Sequence, residues 1–161
     1  MNFAYGQNTD FDAVKQDAEA FYEAMQPVPC PYFNNEPVAF NAKGIRHLKF
    51  KSDDKARSQA DQYARLKLLY LAPKVLRLSR TVQGIWRTRQ FEVTKSHSRW
   101  ERVLKDVSFY EFMAVLEHVR VKVIVKEVAG GEKHFWSIIP FWKLGPNSRG
   151  RILHSGDPER D

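Results

Sequence analysis

Apolar residues recur at helical spacing early in the chain and at strand spacing later. Phe11, Val14, Ala18, Phe21, Tyr22 and Met25 fall three or four residues apart on one side of DFDAVKQDAEAFYEAM, with acidic residues on the other. Thr9 followed by Asp12 gives a variant capping box, so residues 9–26 are predicted to be helical. The prolines of PVPCP then force an extended connection. PVAFNAKGIRHLKFK predicts two short strands around a turn at Asn41 to Gly44, with Leu48 and Phe50 on one face and His47, Lys49 and Lys51 on the other. Ser52, Asp53 and Asp54 can cap a second helix over residues 54–71, which Pro73 breaks or restarts.

The later pattern has period two. Alternation from Ile85 to Val93 predicts a strand. FYEFMAVLEH fits a helix or a strand, and the alternating VRVKVIVKEV behind it favours the strand. Val119, Val121, Val123 and Val125 then share one face, and Arg120, Lys122, Ile124 and Lys126 the other. Gly130 and Gly131 suggest a two-residue hairpin turn. Counting outward pairs Glu127 with His134, Lys126 with Phe135, Val125 with Trp136, Ile124 with Ser137 and Val123 with Ile138. Trp136 and Ile138 thereby join the valine core. Ser137 and Phe135 join the lysine face, and His134 is expected to form a structural ion pair with Glu127. The expected fold is α+β, with N-terminal helices packed on a four- to five-stranded antiparallel sheet. It is read as one domain over residues 1–161: a helix at 9–26, a core at 37–143 and a loop and tail at 144–161.

Length and composition narrow the partners. A chain of 161 residues suits a single domain. Its lone Cys30 forms no internal disulfide and supplies no clustered zinc ligands, so it is expected to be a buried thiol; no cofactor or metal is expected. No apolar run approaches the roughly 20 residues of a membrane span, and MNFAYGQNTDFD lacks the pattern of a secretory signal. A cytoplasmic protein without a membrane partner is the expectation. The formal net charge of +7 favours polyanions, nucleic acid first.

The lysine face also carries candidate chemistry. An imidazole (His47), a hydroxyl (Ser137) and lysines, with no carboxylate pair or metal-ligand cluster beside them, suit cleavage of RNA through its own 2′-hydroxyl to leave a 2′,3′-cyclic phosphate. Phe135, Tyr110 and Trp86 could stack exposed bases. The same residues fit a blander reading, because a lysine stripe with one histidine is also the pattern of a solvated strand face.

VAFNAKGIRHLKFK, with YEF, VRVKVIVKEV and KHFWSIIPFW much later, resembles the phage- and mobile-element branch of the metal-independent RNases that includes barnase, EndoU, the ribonuclease colicins and RelE toxins. The resemblance covers about residues 37 to 143. It implies an endoribonuclease, in the manner of a toxin or phage-conflict effector, acting on tRNA or other structured RNA. His47 matches the histidine of the early GxxH stretch and Ser137 the hydroxyl of the late FxS strand, with Lys122 and Tyr110 as further catalytic candidates. Lys49, Lys51, Lys126 and Phe135 are the RNA-binding candidates, and an acidic inhibitor or antitoxin is an expected partner. The alternative is a non-enzymatic basic module of the same fold that binds nucleic acid or an acidic protein.

Overall fold

The computed structural model describes residues 11–51 and 54–141. Its helices precede its main sheet: α1 (Phe11–Glu23), α2 (Ala42–Lys49), α3 (Gln59–Leu68) and α4 (Ala72–Leu78). A two-stranded antiparallel pair, β1 (Val28–Pro29) and β2 (Pro37–Val38), follows α1. The main sheet is an antiparallel meander of β3 (Gly84–Ser96), β4 (Arg99–Leu116), β5 (Val119–Val128) and β6 (Lys133–Phe141), in that spatial order. The fold is therefore α+β, with helices on a four-stranded antiparallel sheet. Among the described residues no helix is long and apolar enough to cross a membrane.

The strands follow the alternation of the sequence, and two of their turns need no glycine. His97 and Ser98, and Glu117 and His118, all take positive φ between strands whose ladder closes directly around them. These are the primed turns that match the right-handed twist of a hairpin. Pro73 lies in the first turn of α4, where its missing N–H costs nothing. It restarts the helix after a 3-10 turn at Leu69–Leu71.

Three expectations are corrected. GIRHLKFK is not a strand: Asn41 is extended, its side chain accepts a hydrogen bond from the Lys43 N–H at 3.1 Å, and the chain coils into α2. The inward residues Gly44, His47 and Leu48 have helical spacing, but eight residues are few enough that Leu48 and Phe50 also fit an alternating pattern. The second helix starts later than residue 54, at Gln59, because Ser58 is the cap and accepts from the Asp61 N–H at 3.2 Å. Thr9, Ser52, Asp53 and the 144–161 tail lie outside the described residues.

The β5–β6 register also departs from the expected one. Ile124 faces Ser137 and Val123 faces Ile138 as expected, but Val125 faces Phe135, Lys126 faces His134 and Glu127 faces Lys133. Trp136 is the extra residue of a β-bulge. The bulge sends Phe135 into the valine core, where its ring stacks on Phe40 at 5.1 Å, and turns Trp136 to the opposite face beside Phe109 and Ile124. Glu127 bonds Lys133 (2.6 Å) and Tyr110 (3.0 Å) in place of the expected His134 pair.

The sheet thus has two buried faces. On one, Val121, Val123, Val125 and Phe112 pack against α1, α3 and α4. On the other, Val107, Phe109, Ile124 and Ile139 form a smaller core. Cys30 is buried as expected.

Candidate nucleic-acid interface

Helix α2 lies across β6, and its approach sets the site. Gly44 presents bare backbone to Phe135 and Tyr22, which brings His47 flat onto the bulged Trp136, with ring centroids 4.1 Å apart. The Arg57 Nε donates to the His47 carbonyl at 2.9 Å, and its Nη2 lies 3.3 Å from His47 Nε2. Asp61 then bridges two guanidiniums, accepting from Arg57 Nη1 at 3.2 Å and from Arg65 Nε at 2.8 Å. Arg65 Nη1 donates to Ser137 Oγ at 2.7 Å. His47 and Ser137, far apart in sequence, therefore end one continuous polar chain, and both are buried, as are Arg57 and Arg65.

This environment decides what His47 can do. Burial first, and then the positive Arg57, Arg65 and Lys126, push its pKa down to about 2. A guanidinium has only donors, so Nε2 of the neutral ring is the acceptor and the ring proton belongs on Nδ1. The lone pair a general base would use already faces Arg57. His134 is likewise buried, and its pKa is lowered to about 4, mainly by desolvation.

The unfolded chain binds protons on both histidines near pH 6.5, whereas the folded chain does not until about pH 4 for His134 and about 2 for His47. Stability is thus full above pH 6.5 and falls with pH below it, by up to about 1.4 kcal/mol per unit for each histidine. Urea midpoints measured from pH 7.5 to 5 should show this fall, and His47→Gln should make it shallower. A flat profile would contradict the burial of both rings.

The structure separates the remaining candidates. Lys122 pairs with Glu111 at 3.1 Å, and both are largely buried. Tyr110 projects from the valine face, with its ring against Phe33 and its hydroxyl on Glu127, so it does not join His47 and Ser137. Lys49 pairs with Glu19 of α1. Phe135 is fully buried and presents no face to a base. Lys126 lies 4.4 Å from the centroid of the Trp136 ring and 3.1 Å from a Glu92 oxygen. Lys126 and Lys51, unlike Lys49 and Phe135, line an open cleft with His47 and Trp136.

That cleft encloses about 530 Å³. Its walls carry six cationic side chains, Lys43, Arg46, Lys51, Arg89, Arg102 and Lys126, against the acidic Asp54 and Glu92. Phe50, Phe91 and Trp136 interleave with them. The β3–β4 hairpin closes one side. Glu92 faces Val103 across β4, whereas Lys126 faces Phe109. Those β4 positions are six residues apart, about 20 Å along a strand, so the Glu92–Lys126 contact requires the hairpin to bend over this face of the sheet.

Sequence reading missed most of this lining, because Lys43, Arg46, Arg89 and Arg102 come from segments that meet only in the fold. One signal was legible. RSQADQYAR spaces Arg57, Asp61 and Arg65 four residues apart, the interval at which a carboxylate can sit between two guanidiniums on one helix face. Among the described residues, no set of three or more His, Cys, Asp or Glu side chains could hold a metal ion. No protein-family model, curated protein or solved structure matches the chain.

Proposed function

We propose that the protein binds single-stranded RNA in the cleft between α2 and the β3–β4 hairpin. The observation that carries this reading is the excess of cations on the cleft walls, with aromatic rings among them. Phosphates would be held by Lys43, Arg46, Lys51, Arg89 and Arg102, while Lys126 and the Arg57–Asp61–Arg65 cluster add positive potential from beneath. Phe50 and Phe91 offer faces on which bases can stack. Affinity should fall steeply with salt. If four phosphates are neutralised, raising monovalent salt from 50 to 200 mM should weaken binding roughly 50-fold. Titration of a labelled oligonucleotide checks this, and salt-insensitive or absent binding at low salt would end the proposal.

A second reading adds catalysis. The observation favouring it is a buried chain of guanidiniums that links Ser137 to His47, and His47 lines the cleft; the resemblance to metal-independent RNases points the same way. From beneath the cleft, the buried Arg57 and Arg65 would lend positive potential to the charged transition state of 2′-hydroxyl attack; water would take the 2′-hydroxyl proton, the 5′-oxygen would leave and be protonated by water, and His47 would serve as a neutral positioning group. Incubation with total RNA in EDTA separates the readings. Fragments with cyclic phosphate ends support an endoribonuclease, whereas intact RNA with salt-dependent binding leaves a binding module. An acidic inhibitor that mimics RNA would compete for the same cleft.

A further inference from the structure

We infer that the distal β3–β4 hairpin is an arm that carries the RNA interface beyond the cleft, so that the protein grips a tract longer than the cleft alone accommodates. The inference rests on the RNA-binding reading above.

β5 pairs with β4 only from Val107 to Leu116. Arg99–Asp106 and the partner residues Arg89–Ser96 therefore continue as a two-stranded ribbon, eight residues on each side. At about 3.3 Å per residue the ribbon is about 26 Å long. Alternation sorts its side chains. One face carries Arg89, Lys95 and Arg102 with Phe91 and Trp100, and the aliphatic Val93 and Leu104 between them. Trp100 is 72% exposed and Phe91 63%. Asp106 is the acid on that face, and it pairs with Arg89 at 2.9 Å.

Large apolar side chains gathered on one exposed face mark an interaction surface, and here their neighbours are cationic. An apolar partner would desolvate those cations without compensation. A second copy of this face would set like charges together. Single-stranded nucleic acid meets both features, because its phosphates match the cations and every base has a face to stack. Phe91 and Trp100 differ by four steps along the ribbon, about 13 Å. The ribbon is continuous with the cleft, since Arg89, Phe91 and Arg102 of this face line it together with Gln90 and Glu92 of the opposite face.

Oligouridylates of 4 and 16 nucleotides, spanning the usual range of site sizes for one small domain, test the arm on the full chain. Unmodified protein should bind the 16-mer more tightly than the number of binding frames explains. Trp100→Ala should weaken the 16-mer about 5- to 150-fold, as expected for one lost stacked base, and leave the 4-mer unchanged. Trp100→Phe should restore most of the loss, and Lys95→Ala should lower the salt slope for the 16-mer by about 0.7. Matching melting temperatures would show that the variants are folded.

A 16-mer that Trp100→Ala binds as the unmodified protein does would overturn the arm while leaving the cleft reading intact. Equal loss on both lengths would also overturn it, because the tip would then act through the cleft. If neither oligonucleotide binds, the cleft reading falls and the arm with it. Tighter binding of a 16-residue polyglutamate, lost in the same variants, would replace RNA with an acidic protein partner.

Discussion

Asp61→Asn should cost about 3–5 kcal/mol of folding stability, the usual effect of removing one member of a buried charge cluster. Against the roughly 5–15 kcal/mol that holds a typical domain together, this is a large share of the total. Asp61 is the carboxylate shared by Arg57 and Arg65. Both guanidiniums are buried, and Lys126 adds a third cation near His47. Asparagine keeps the shape and one acceptor oxygen but removes the charge that offsets this concentration of cations. Denaturant unfolding of the variant checks the value, and added polyanion should recover part of the loss if the cleft binds phosphates above the cluster. A loss below about 1 kcal/mol would show that the carboxylate does not hold the two guanidiniums.

The cluster also bears on why His47 and Ser137 stand out in the sequence. Their polar character among apolar neighbours suggests a reactive face, yet the same character serves a buried network that ties α2 and α3 to β6. Replacing such a network by apolar residues is often neutral or stabilising. Its position under a basic cleft is therefore an argument for a role in binding, and burial alone would not have required it.

What the sequence made legible was local. VRVKVIVKEV keeps valine at every second position from Val119 to Val125 because that face packs on the helices, and Gly130, with φ near 80°, marks the turn toward β6. Trp136 shows where local pattern ends. No glycine or proline stands at the bulge. What favours it is tertiary, because Phe135 fills the valine core while Trp136 stacks under His47. Counting from the hairpin placed Ser137 correctly and exchanged its two aromatic neighbours. The cleft was less legible still, since its walls come from α2, the segment after it, β3, β4, β5 and β6. Nothing in the spacing of Lys43 and Arg102 relates them.

Gly44 separates the two conformations available to GIRHLKFK most sharply. In a helix, Gly44→Ala alone should stabilise by about 1 kcal/mol, because alanine loses less conformational freedom and shields the backbone. The packing opposes this. A Cβ at position 44 would sit 2.5 Å from the Phe135 carbonyl oxygen, 2.9 Å from the Phe135 ring and against the Tyr22 hydroxyl. The carbonyl belongs to a strand backbone and cannot swing aside. The Tyr22 hydroxyl is engaged as well, donating to the Asn41 carbonyl at 2.6 Å. The helix must therefore shift off β6, loosening the stack of His47 on Trp136. Overpacking of this kind costs about 1–3 kcal/mol and occasionally more, so Gly44→Ala should be destabilising despite its propensity. Gly44→Leu, nearly as good a helix former, should cost more than about 3 kcal/mol. In a domain of this size that corresponds to a fall in Tm of roughly 6–12 °C. Gly130→Ala is the control, because no atom lies within 4 Å of its Cβ position and only backbone strain opposes it. A Tm that rises in Gly44→Ala, or does not fall further in Gly44→Leu, would mean that α2 does not rest on β6, and the cleft that α2 walls would go with it.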